Sequence, residues 1–229
     1  MLKKVLLSGV ILCGIFSNNV VAYQVLGDIA GRVGTEIVHT GSIIGGATFG
    51  AMAYGIINDQ VTARICLPYF TRGFHQDNLE HWEGGPILGR LKPILEKHEN
   101  SPTIVASIWG PIATVGVGLP LGVLSALCAR FPLGKLPQLR FKDLRYPLLG
   151  AMAFTGLGAL YGGVKTYFAV KNIENPEDLR REKFNDRVPT EELKSFQVCS
   201  GAHHAAYKYG PIAGLGVCGW IVAKRVGLI

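Results

Sequence analysis

The sequence predicts an all-α fold, a polytopic bundle of transmembrane helices, and three observations predict it. Charged residues make up only 17% of the chain and hydrophobic residues 48%, whereas an ordinary soluble domain is about a quarter charged. The apolar residues fall in runs long enough to cross a hydrocarbon layer of about 30 Å. Those runs are crowded with glycine, 30 in 229 residues, which lets membrane helices approach closely. The net charge of +7 does not point to nucleic acid: no nucleic-acid-binding motif is present, and the basic residues cluster beside the apolar runs. The implied partner is the lipid bilayer.

Residues 1–24 read as a signal-like or anchor segment, with basic Lys3-Lys4, an apolar core over 5–16 and small-residue cleavage after Ala22. Leu12 ahead of Cys13 mismatches a lipoprotein signal. Residues 25–229 then form a four-helix transmembrane domain. Within it, 23–39 carries Asp28, Arg32 and Glu36 on a polar side and runs into a first span at 40–57. Ser42, Gly46 and Gly50, and also Gly41 and Gly45, recur at four-residue spacing as faces for another helix. Asn58-Asp59-Gln60 ends this span abruptly and reads as the polar end of the helix.

An outer loop, about 58–102, contains Gly84-Gly85-Pro86 and a short helix at 87–97 with Leu88, Leu91, Ile94 and Leu95 on one face. The second span, 103–129, holds Pro111 and Pro120, each of which removes a backbone hydrogen bond and predicts a kink. The connection 130–146 carries Arg130, Lys135, Arg140, Lys142 and Arg145 against a single acid, Asp143, and is assigned to the cytoplasm. A third span, 147–170, presents Gly158/Gly162 and Ala159/Gly163, with Lys165 placed to snorkel. The second outer loop, about 171–204, predicts short helices at 177–183 and 191–196. The last span, 205–223, ends in Lys224-Arg225, a second cytoplasmic signal. With both basic segments inside, the parity leaves 5–16 as a segment that does not span.

From Tyr54 onward the chain resembles an uncharacterised family of small bacterial integral membrane proteins. The resemblance rests on YGIINDQVTARICLPYFT, on SPTIVASIWGPIATVGVGLPLGVLSALCAR, on RFKDLRYPLL and on AHHAAYKYGPIAG. It implies four transmembrane helices with a basic cytoplasmic loop in the middle, in a bacterial inner membrane, and no activity. Relatives carry His where this chain has Asn58 and Glu where it has Pro68.

The candidate functional surface is Asn58, Asp59, Arg64, Tyr69 and Phe70, where the first span meets its loop, with His203 and Tyr207 from the last helix. A carboxylate at that depth lines an aqueous vestibule or pairs with Arg64 as a structural ion pair. His203 and Tyr207 are one helical turn apart and share a face. Cys66 and Cys199 lie in polar stretches and either pair or remain free thiols, while Cys128 and Cys218 sit in apolar runs. No metal site and no cofactor are expected: Glu36-x-x-His39 lies apart from His203, and His75, His81 and His98 fit no ligand spacing. Hydrolase, phosphate-loop and dinucleotide motifs are absent.

Three function classes remain. A structural or assembly component of a membrane complex, with a protein partner or a second copy docking on the small-residue faces, is favoured. A small transporter or channel needs polar residues deep in the bilayer, for which Tyr161 and Lys165 are the only candidates within a predicted span. A membrane enzyme would rest on Asp59, Arg64 and His203.

Overall fold

The computed structural model describes residues 20–72, 88–132, 134–180 and 187–229. Residues 1–19 of the signal-like segment, the Gly84-Gly85-Pro86 turn, and His75 and His81 lie outside the described residues. Among the described residues six α-helices follow in order: α1 Val20–Ile65, α2 Pro68–Thr71, α3 Leu88–Lys97, α4 Pro102–Arg130, α5 Phe141–Val170 and α6 Leu193–Arg225. Single 3-10 turns at Pro176–Leu179 and Thr190–Glu192 lead into α6, and no strand occurs among the described residues. The chain divides into two compact units, Met1–Ser42 and Ile43–Ile229. In the first, the Thr35 and Ser42 hydroxyls fold back onto the carbonyls of Gly31 and Val38 at 2.8 and 2.7 Å.

Among the described residues, three helices are long and apolar enough to cross a membrane: Ala30–Ile65, Pro102–Arg130 and Phe141–Val170. The fourth expected span lies within α6, which is long enough at 33 residues but diluted by Tyr207, Lys208, Tyr209 and Pro211. Large apolar side chains face outward along the second unit, among them Phe49, Leu119, Leu157, Leu160 and Leu215, each 47–70% exposed. A water-facing surface would not carry them at this density.

The helices overrun their predicted ends, and this is the main correction. The first does not end at Asn58-Asp59-Gln60; it continues to Ile65 and stops where Pro68, which has no N–H to give, opens α2 instead. The third begins at Phe141, not 147, because the Asp143 carboxylate accepts the Arg140 N–H at 2.8 Å and satisfies a free donor at the helix start. The last begins at Leu193, not 205, so His203 is three turns inside a helix. Of the loop helices, 87–97 is found as Leu88–Lys97; of 177–183 the described part is the turn Pro176–Leu179, capped by Arg180, and 181–183 lie outside the described residues. On α3, Leu95 is buried, Leu91 is half-buried and Ile94 is exposed.

Glycines set how closely the helices meet. A Cβ on Gly55 would be driven into the Gly110 carbonyl, and one on Gly122 would lie 2.9 Å from the Ile44 carbonyl, so α1 and α4 touch backbone to backbone. Gly162 and Gly201 do the same between α5 and α6. The predicted Gly158/Gly162 face is therefore spent inside the molecule, while Gly45 looks into open space. α4 runs through Pro111 and Pro120 as one helix.

Two apolar clusters close the ends of the second unit. One gathers Cys66, Tyr69, Phe70, Trp109, Leu193 and Phe196; the other gathers Ile43, Ala129, Leu139, Leu144, Val217 and Ile221. At the second end Arg225 is buried, not a free basic tail. Its guanidinium donates to the carbonyls of Cys128, Phe131 and Pro137 at 2.6, 2.8 and 2.9 Å, satisfying acceptors left open where α4 ends.

Candidate functional site

Residues 58–65 continue α1, so their side chains fan out at about 100° per residue instead of entering a loop. Asn58, Asp59 and Thr62 turn to one side, and the Thr62 hydroxyl folds back to the Asn58 carbonyl at 3.0 Å. Gln60 and Arg64 turn to another. Gln60 donates to the Thr103 carbonyl at 3.0 Å and to the Ser107 hydroxyl at 3.2 Å, and Arg64 reaches the Gln60 side chain and Thr103 Oγ1. The Asp59–Arg64 ion pair considered from the sequence is not formed: five residues along a helix place two side chains roughly 140° apart.

The partner of Asp59 is His203. Its Nε2 lies 3.1 Å from Asp59 Oδ1, and both residues are buried, 7% and 3% exposed. Asn58 Nδ2 donates to the same carboxylate oxygen at 3.2 Å. His203 Nδ1 lies 2.9 Å from the Cys199 carbonyl, which can only accept, so Nδ1 carries a proton. A hydrogen bond between Nε2 and the carboxyl group then needs one further proton. Whichever atom bears it, imidazole and carboxyl together hold that proton and are neutral as a pair.

Aromatic rings cover one side of this pair. Tyr69 stacks on the imidazole with centroids 4.7 Å apart, and Phe70 meets it edge-on at 5.6 Å. Burial pushes the Tyr69 phenol up, with Tyr207, Cys199 and Asp59 adding to it, so it remains a protonated donor. Cys66 and Cys199 are both buried free thiols, and Cys199 donates to the Thr62 carbonyl at 3.3 Å.

The other side of the pair faces a cavity of about 320 Å³ lined by α1, α4, α5 and α6. Gly46, Gly50, Gly118 and Gly214 are among its walls: at Gly50 a Cβ would keep ordinary clearance, 3.5 Å from Met152 Sδ, whereas at Gly46, Gly118 and Gly214 it would run into Phe141, Ala51 and Leu121. On α1 the lining runs from Gly46 to Asp59, about 20 Å at 1.5 Å per residue. Asn58, Asp59, His203, Tyr54 and Tyr207 lie at one end, Thr114 and Thr155 along the wall, and Ser125 and Arg145 towards the other end. Tyr54 Oη is buried and has no hydrogen-bond partner among the described residues. An orphaned hydroxyl beside an apolar space is a donor awaiting an acceptor.

Of the seven predicted residues, the structure brings Asn58, Asp59, Tyr69, Phe70 and His203 into contact, sets Tyr207 on the cavity wall and turns Arg64 away. Tyr161 and Lys165, the polar candidates within a span, are exposed on the outside of α5. His204 is exposed and bonds back to Ser200. Among the described residues no three His, Cys, Asp or Glu side chains converge as metal ligands. Sequence reasoning missed Tyr54 and Cys199, although each stands four residues before Asn58 and His203 respectively, on the same helix faces. No family model, curated protein or solved structure matches the chain.

Proposed function

We propose that this is an integral membrane protein whose long helices α1, α4, α5 and α6 all cross the bilayer, with the basic 130–146 connection in the cytoplasm of a bacterial cell. Its function is to hold an elongated, mainly apolar molecule inside the bundle, polar end against Asp59, His203 and Tyr54. The observation that carries this reading is the cavity itself: mainly apolar along its length, with Asp59, His203 and the unpartnered Tyr54 hydroxyl at one end. Ionisable residues inside a membrane helix are costly and face a functional interior. The transporter or channel class, kept from the sequence as the alternative with Tyr161 and Lys165 as its polar candidates, is supported instead by the buried Asp59 and His203. An assembly role remains compatible through outward Gly45 and an unidentified protein partner or second copy, but it does not account for the cavity.

The test is to purify the protein from membranes and identify by mass spectrometry what leaves with it. A Gly50→Leu variant is the control, because a Cβ there has ordinary clearance, 3.5 Å from Met152 Sδ, and the rest of the side chain fills the space. A molecule retained by the native protein and lost from the filled variant supports the reading. The same lipids in the same amounts from both would mean annular lipid only and would overturn it. A reporter fused after Lys142 that is active only when exported would refute the sidedness.

A further inference from the structure

The chemistry at the polar end specifies what the cavity takes, an inference resting on the reading of the cavity as a binding site. We propose that its occupant is a lipophilic monocation, and that the cation enters in exchange for the proton shared by Asp59 and His203.

His203 Nδ1–H is committed to the Cys199 carbonyl, so the proton between Nε2 and Asp59 Oδ1 is the one mobile proton of the pair. With it in place the polar end is neutral. Without it, an imidazole lone pair and an anionic carboxyl oxygen face each other at 3.1 Å with only Asn58 Nδ2 to offset them. That arrangement is stable only with a positive charge nearby, and the cavity is the open side on which one can arrive.

No fixed cation of the protein fills this place. From α1, Tyr54 and Asn58 face the pair and Arg64 turns away to Thr103; from α2 comes Tyr69; from α6 come Cys199 and Tyr207. The α4 wall supplies Thr114 and no charge, and the α5 wall supplies Thr155, with its single charge, Arg145, at the far end of the cavity. The groups at the polar end are thus one carboxyl, one imidazole, phenols and a thiol. An anionic head group would add a second negative charge beside Asp59. A cationic head between the rings of Tyr54 and Tyr207 gains both the carboxylate and the negative faces of the rings. The balance is simple: one cation enters, one proton leaves to water, and the charge held in the cavity is unchanged.

The experiment uses the full chain in phosphatidylcholine nanodiscs and three probes with the same tail: decyltrimethylammonium, decanol and decanoate. Binding is followed by calorimetry in two buffers of different ionisation enthalpy, which counts the protons released. The expected result is tightest binding of the ammonium probe, affinity rising up to tenfold per pH unit where the proton competes, and about one proton released per probe bound. Decanol should bind with no pH dependence and no proton release. Asp59→Asn should lose at least tenfold in ammonium affinity and its pH dependence, and Asp59→Glu should retain both. Ammonium binding that is independent of pH, or a native preference for decanol or decanoate, would overturn the exchange while leaving the cavity reading intact. Saturable binding of no probe, or binding unaltered in Gly50→Leu, would overturn both.

Discussion

Asp59 and His203, separated by 144 positions in the chain, form a buried hydrogen bond of 3.1 Å that joins α1 to α6. A carboxyl group and an imidazole removed from water are stable only while each has the other, and this decides how substitutions at the two positions behave.

Replacing one partner leaves the other buried and unsatisfied. Asp59→Leu is expected to cost about 3–5 kcal/mol, whereas Asp59→Leu combined with His203→Leu should recover most of that loss. Thermal unfolding in detergent of the two singles and the double checks this. A double variant as unstable as the sum of the singles would mean that the pair is not the relevant contact.

The α1–α4 contact should be intolerant at Gly55 and tolerant at Gly45. Gly55→Leu forces backbones apart at Gly110 and should cost 3 kcal/mol or more, on the order of severe overpacking. Gly45→Leu meets open space and should change folding stability by no more than about 0.5 kcal/mol. Protein level in the membrane and thermal stability of each variant read the difference.

Arg225 should matter by geometry, not charge. Its three donors serve three carbonyls, and Arg225→Gln is expected to destabilise by about 3 kcal/mol, as for charge-assisted hydrogen bonds lost at a buried site. Arg225→Lys keeps the charge near the α4 C-terminus but lacks the planar fork, so it should recover only part. Equal stability of the lysine and native proteins would show that the charge alone suffices.

The 171–192 connection should loosen in acid. Arg180 grips the Glu177 carboxylate at 2.7 and 3.1 Å, Thr190 donates to it as well, and together they hold it down to about 2 from 4.5. A carboxylate with a lowered folded value stabilises fully above about 4.5 and loses that contribution as pH falls towards 2. Protease cleavage within 176–190 should therefore accelerate over that window in the native chain. Glu177→Gln should be cleaved faster at neutral pH and respond little across the window.

The helices long and apolar enough to cross a membrane were legible from the length of their apolar runs, and the residues of α4 and α5 were read almost in full. Helix ends were not. A polar triplet such as Asn58-Asp59-Gln60 looks like the water-facing end of a span when its partners are unknown. It stays helical here because Asp59 finds His203 and Gln60 finds Thr103 and Ser107, contacts that reach 43 to 144 residues along the chain.

Composition and the length of the apolar runs determined that the chain is helical and that its helices are apolar enough for a membrane, while the assumed topology and the resemblance placed Asn58, Asp59, Tyr69 and Phe70 near His203 and Tyr207. Spacing within one helix goes only as far as setting His203 and Tyr207 on one face. Only the tertiary structure decided that Asp59 pairs with His203 and not Arg64, that Arg225 caps the end of α4, and that Gly50 borders an open space while Gly55 and Gly110 close one. The physical reason is that a glycine offers both a close approach and a void. Which of the two it becomes depends on the residue facing it from another helix, and no local pattern carries that information.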